Sequence, residues 1–170
     1  RLVVSHAPHG RDVGSCIERV LRLCVASRLV HIARIIPPEF SVPILKQCQA
    51  KTLDFVCHQL YAWKESSFWN AQHEKLVRWN VELPIKNAGT GLVPQWKLAN
   101  ASFAASWFQP IATMAAARRE SEVAFLNHLN ECEALPSIQM LKNAVGAIGY
   151  NDDLLQTHEA FQQALLDEIK

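Results

Sequence analysis

The sequence predicts an all-α fold: an irregular multi-helix bundle with a Gly- and Pro-containing connection at about 83–92. Three observations predict it. Apolar residues recur at helical spacing along nearly the whole chain. No segment sustains period-2 alternation, and no Asn-Gly or Asp-Gly dipeptide offers a hairpin turn. Punctuation is sparse, with 6 Gly and 8 Pro in 170 residues, which leaves long stretches free to be helical.

The elements follow in order. Ile17, Val20, Leu21, Cys24 and Val25 form one apolar stripe, and Leu29, Ile32, Ala33 and Ile36 a second. Ser27 between them is read as an N-cap. Pro37-Pro38 stops that helix, because a residue before proline is pushed out of the α region. Ser41 is expected to cap the next helix, with Pro43 in its first turn and Leu45, Cys48, Thr52, Val56 and Leu60 as its stripe. An aromatic stretch follows, with Tyr61, Trp63, Phe68, Trp69 and Trp79. Pro84, Gly89 and Gly91 make 83–92 an irregular connection.

From Pro94 to about Gln109 the chain is apolar on nearly every face, as a central helix is, and Pro110 should kink or end it. Val123, Leu126 and Leu129 continue helically. Pro136 opens a helix with Ile138, Leu141, Val145 and Ile148, which ends at Gly149. Asn151 is read as the cap of the last helix, with Asp152 and Asp153 in its first turn, where the helix dipole favours acids.

Composition bounds the function. At 19.1 kDa the chain is expected to be a single helical domain over 1–170. Its hydrophobic fraction of 49% is enough for a core and excludes general disorder. Lys+Arg 17 against Asp+Glu 16 leaves a formal charge of +1, which argues against a histone-like binder driven by bulk charge. Five cysteines, four of them in apolar periodic segments, suit buried free thiols in an intracellular, reducing compartment. No stretch has the length and apolarity of a membrane span, so no membrane role is expected. The start at Arg1 and the end at Lys170 fit a fragment of a longer polyprotein.

The constellations that could carry chemistry are thin. His6-x-x-His9 is broken by Pro8 and Gly10 and has no third ligand nearby. His128 and Cys132 have i,i+4 ligand spacing but are only two. Cys57 and His58, adjacent in sequence, point about 100° apart on a helix and make a poor nucleophile–base pair. His158 falls on an apolar stripe and reads as a core or boundary histidine. Tyr150-Asn151-Asp152-Asp153 looks like the Tyr-x-Asp-Asp of polymerase active sites, where paired carboxylates hold two metals. Leu154 onward continues as an amphipathic helix instead of a strand, so the helix cap is the better reading. No catalytic residue and no metal ligand is assigned.

Two blocks are more specific. The first runs Leu21-Arg22-Leu23-Cys24-Val25-Ala26-Ser27-Arg28-Leu29-Val30-His31-Ile32-Ala33-Arg34-Ile35-Ile36-Pro37-Pro38. The second is Leu83-Pro84-Ile85-Lys86-Asn87-Ala88-Gly89-Thr90-Gly91-Leu92, followed by Ala99, Phe103, Ala104, Ala105 and Ser106. In order and spacing they resemble the region that follows the polymerase domain in retrotransposon-type reverse transcriptases. There a leucine-rich helix ends in Arg and Pro-Pro, a Leu-Pro-x-x-x-Gly-Gly-Leu-Gly-Leu block comes later, and an Ala-rich helix with "Ala-Ser" follows. This chain has one glycine fewer in the second block and carries Thr90 there.

The resemblance implies a thumb-like or connector region of an RNA-directed DNA polymerase, inactive alone and lacking the catalytic palm. Its partners would be the RNA/DNA template–primer and the missing N-terminal polymerase domain. No cofactor is expected in this fragment, though the parent would need divalent magnesium. Arg28, Arg34, Lys86, Lys97, Arg118 and Arg119 are the candidate phosphate contacts. The five tryptophans could stack bases, but most are expected in the core. The alternative is a helical protein-interaction module, or a decayed retroelement remnant, with no nucleic-acid role. It would expose an apolar patch where a partner packs.

Overall fold

The computed structural model describes residues 19–56, 71–83, 87 and 90–169. Every regular element among them is helical, as expected, and the fold class is all-α. The chain forms two compact units. One takes the described residues of Arg1–His31 and Pro43–Trp96, the other those of Ile32–Val42 and Lys97–Lys170.

Arg19 and Val20 are helical and lead into a π-helical segment at Leu21–Ala26, which runs without a break into α1 (Ser27–Ile35). Ser27 is therefore not an N-cap. Its hydroxyl donates back to the Leu23 carbonyl at 2.6 Å, the bond a mid-helix serine makes when it does not cap. The wide i→i+5 turns also replace the expected stripe. Leu21 and Leu29 are buried and Val25 half-buried, while Val20, Leu23 and Cys24 are exposed. Cys24 is thus not the buried thiol the periodicity suggested, and Cys48 and Cys132 are only half-buried; all three are unpaired.

Helix α2 spans Pro38–Val56, one turn earlier than a Ser41 cap would place it. Pro38 presets the helical φ at the first position, where its missing N–H costs nothing, and the Phe40 and Ser41 amides donate to the Pro37 carbonyl at 3.0 Å. Ser41 is left fully buried with its hydroxyl unpaired. The expected α2 stripe holds for Leu45 and Val56, and it also takes in Leu53.

Helix α3 (Ala71–Glu82) packs Val81 against Leu21, Leu53, Val56 and Leu92, with Val25 and Val77 alongside. Of the expected connection at 83–92, Pro84 and Gly89 lie outside the described residues. Its described part folds back on the end of α3: the Thr90 amide donates to Asn80, Gly91 to Leu83 and Leu92 to Val81, and the Thr90 hydroxyl reaches the Val81 carbonyl at 2.7 Å. The carbonyls a helix end leaves open are satisfied this way. Gly91 makes the turn at φ 77°, a backbone region that costs glycine little.

The α4 helix (Gln95–Phe108) is the apolar helix expected between Pro94 and Gln109. In the second unit its Ala99, Phe103, Ala104 and Phe108 are buried. Pro110 ends it, and α5 (Ile111–Arg118) starts at once. Helix α6 (Glu122–Glu131) is capped by Ser121, whose hydroxyl accepts from the Ala124 amide at 3.1 Å. Then come α7 (Pro136–Ala147), with proline in its first turn, and α8 (Leu154–Ile169). Gly149, at φ 86°, closes the exit from α7.

The second unit's core joins Ala104, Phe108, Ile111, Ala115, Phe125, Leu126, Ile138, Leu141, Val145 and Leu154. Within it α6 packs on both α5 and α8.

The start of α8 corrects the sequence reading by two residues. Asp153, not Asn151, is the cap: its carboxylate accepts from the Leu155 amide at 2.9 Å. Asn151 sets up the turn before it by accepting from the Asp153 amide. The Leu154 amide goes to the Asn130 side-chain oxygen at 3.1 Å. That acceptor comes from α6, 24 residues away, so local spacing could not have placed the helix start.

Candidate nucleic-acid interface

The predicted phosphate contacts divide between the two units. Arg28 is exposed on α1 in the first. Lys86 lies outside the described residues, as do Trp63, Trp69, the His6/His9 pair and the Cys57/His58 pair. Arg34, Lys97, Arg118 and Arg119 are all exposed in the second unit.

Arg34, in the last turn of α1, is held by two contacts to the end of α4. Its guanidinium donates to the Gln109 side-chain oxygen, and its carbonyl accepts the Ser106 hydroxyl at 2.6 Å. The "Ala-Ser" of the second sequence block therefore packs against the arginine of the first. Lys97 sits in the first turn of α4. At 1.5 Å per residue that is about 18 Å along the helix from the Arg34–Gln109 contact.

Arg118 ends α5 and pairs with Glu120 at 3.3 Å while lying over the Phe125 ring at 5.8 Å. Arg119 follows in the left-handed region at φ 60°, the sole non-glycine there among the described residues. Its amide and that of Glu120 close the helix on the Ala116 and Ala115 carbonyls at 3.0 Å. Glycine takes this position at far lower cost than arginine. The charge at Arg118 and Arg119 suits the negative end of the α5 dipole.

Helix α5 has no acidic residue in its eight positions. Arg34 marks the side where α5 begins, next to Gln109, and Arg118-Arg119 the side where it ends. Eight residues of helix separate them by about 12 Å, a length over which one nucleic-acid strand presents several phosphates.

Of the three tryptophans among the described residues, Trp107 packs against the core expected for it. Trp79 is exposed on α3. Trp96 is half-buried beneath the Lys46 ammonium at 4.9 Å, and Trp107 packs edge-on against Phe103 at 6.4 Å between centroids.

Asp152 and Asp153 are placed by the start of α8. Partial burial raises the Asp153 pKa, but hydrogen bonds from Asn130, Leu155 and Gln156 and the charge of Lys142 outweigh it and bring it below the ordinary aspartate value. His128 Nε2 and Cys132 Sγ lie 3.9 Å apart. Among the described residues no three His, Cys, Asp or Glu side chains gather to hold a metal ion. Among the described residues no helix is long and apolar enough to cross a membrane.

Sequence reasoning missed three features of this unit. Asn130 binds both the Leu154 amide and the Asp153 carboxylate, the latter at 3.0 Å. The Ser121 cap was legible as serine before an acid and an apolar run, yet it went unread. The third is a row of rings: Tyr150 on Phe161 at 5.0 Å, Phe161 on Phe108 at 5.3 Å, and Phe108 on the buried His158 at 5.6 Å.

In comparison with known proteins, the chain matches no family model, no curated protein and no solved structure.

Proposed function

We propose that this chain is the helical region that follows the polymerase domain of a retroelement reverse transcriptase, and that it engages the template–primer backbone without doing the chemistry itself. The observation that carries the reading is Arg119. An exposed arginine occupies a helix end whose left-handed backbone favours glycine, beside a second arginine and at the end of a helix with no acids. Backbone strain of roughly 1–3 kcal/mol tends to sit where a side chain is needed for function. Arg34, about one helix length away, supplies a second phosphate contact, and sequence-independent binding of this kind falls steeply with salt.

The test is fluorescence anisotropy of the chain with a labelled RNA–DNA hybrid at 50 and 200 mM salt. Binding should weaken at least tenfold across that range, the behaviour of several phosphate contacts. Arg34→Ala and Arg119→Gly should each lower affinity at the lower salt, with circular dichroism unchanged. Absence of salt-sensitive binding overturns the reading.

A second reading has its own support in the first unit. Leu23, Phe55, Leu76 and Trp79 are large apolar side chains that stand exposed there. Leu76 and Trp79 share one face of α3 at i,i+3. Such a surface fits packing against a protein partner, of which the polymerase domain itself is the first candidate.

A further inference from the structure

Within the second unit, the end of α4, the starts of α5 and α6 and the middle of α8 line a half-open cavity of about 490 Å³. That lies within the range of small-ligand sites. Its apolar wall holds Phe108, Phe161 and His158, members of the aromatic row. His158 is 93% buried, and its Nε2 faces the Gln162 amide nitrogen at 3.4 Å. Three further polar groups line the cavity: Gln109, Gln162 and the Glu122 carboxylate. Ala112, exposed, stands at the mouth. No lysine or arginine is among the lining residues, but the Gln109 side chain is bonded to Arg34, which brings one guanidinium to the rim.

These groups suit a particular chemistry. Aromatic faces accept a flat ring by stacking, and side-chain amides and a carboxylate read the polar edge of that ring. A carboxylate only accepts, so it favours rings that carry an exocyclic amine. The absence of cations inside disfavours an anionic ring, while Arg34 outside suits a phosphate attached to it.

We propose that this cavity takes a single unstacked nucleobase, preferring the amino-bearing guanine, adenine and cytosine over uracil, with the attached phosphate on Arg34. The proposal rests on the nucleic-acid reading above, and it adds a site for one unpaired base to backbone contacts that are blind to sequence. The base can belong to a strand or to a free nucleotide.

The test titrates the chain with GMP, CMP, UMP and ribose 5-phosphate, followed by NMR shifts of the His158 and Phe161 side chains. GMP and CMP should bind at least fivefold more tightly than UMP, and ribose 5-phosphate should leave the shifts unmoved. Glu122→Gln should reduce the preference for GMP over UMP to less than twofold. Ala112→Phe, a change at an exposed position that fills the mouth, should abolish nucleotide binding with the helical circular dichroism retained. Equal binding of GMP and UMP, shifts with ribose 5-phosphate alone, or unchanged binding by Ala112→Phe would each overturn the site. A single-stranded RNA decamer and a blunt RNA–DNA hybrid separate the two levels of the argument. If Ala112→Phe lowers decamer affinity at least fivefold and leaves hybrid affinity intact, the base belongs to a strand. If mononucleotides bind and the decamer is indifferent to Ala112→Phe, the ligand is a free nucleotide. Loss of hybrid binding in the unmodified chain counts against the backbone reading, whereas the mononucleotide titration decides the cavity.

Discussion

Among the described residues, the two units show different cores and different helix starts. The second has a core of ten buried residues from five helices, with Trp107, Leu129, Ile148, Tyr150 and Phe161 packed around it. Among the described residues of the first, the joined core is five side chains, and Leu23, Phe55, Leu76 and Trp79 remain in solvent. The helix starts differ too. In the second unit Ser121, Asp153 and Asn130 each satisfy a backbone amide of a helix's first turn. In the first unit the π segment Leu21–Ala26 follows helical Arg19 and Val20, so it continues a helix and has no cap of its own. The proposed backbone contact lies on the second unit and the proposed partner-facing surface on the first.

Core truncation should sharpen this comparison most. Leu126→Ala, at a fully buried site, is expected to cost about 3–4 kcal/mol, and Leu53→Ala, at the smaller core, nearer 2 kcal/mol. Urea unfolding of the two variants measures this, and equal costs would mean that the first unit is as tightly packed as the second.

Asn130→Ala comes next. It removes the acceptor for the Leu154 amide and the donor to Asp153 together, at a cost of about 2 kcal/mol. Amide hydrogen exchange should show the loss concentrated at the start of α8.

The Asp153 carboxylate gives a smaller, pH-dependent effect. Folding lowers its pKa, so the folded chain favours the ionised form. Its contribution is complete above the unfolded aspartate value of about 3.9 and drains away as the pH falls through the lower folded value. Asp153→Ala should cost about 1 kcal/mol at neutral pH and show a flatter loss of stability below pH 4. A variant as acid-sensitive as the parent would show that other carboxylates set the acid limb.

The smallest expected change has the opposite sign. Ser41→Ala deletes a buried hydroxyl without a partner and should stabilise the chain by about 0.5–1 kcal/mol. A loss of stability instead would mean that the hydroxyl finds a partner in solution.

Much of this was legible in the chain itself. Helical periodicity and sparse punctuation gave the fold class, and Pro110, Pro136 and Gly149 marked real boundaries, because proline and glycine act on their own backbone whatever surrounds them. The exposed state of Arg28, Arg34, Lys97, Arg118 and Arg119 was also foreseeable, since charged side chains are almost never fully buried. Readings that depended on distant partners shifted. Ser27 and Ser41 fit caps on local pattern, yet each lies inside a helix that starts earlier. Asn151 gave way to Asp153 because Asn130 supplies the acceptor from another helix.

Periodicity, turn chemistry and charge are properties of neighbouring residues, and one strand of sequence carries them whole. Only the tertiary structure brought Gln109 to Arg34, set four rings from three stretches of chain in a row, and opened a cavity beside them. Those are contacts between residues up to 75 positions apart, and their partners are chosen by how the helices pack, which no local spacing records.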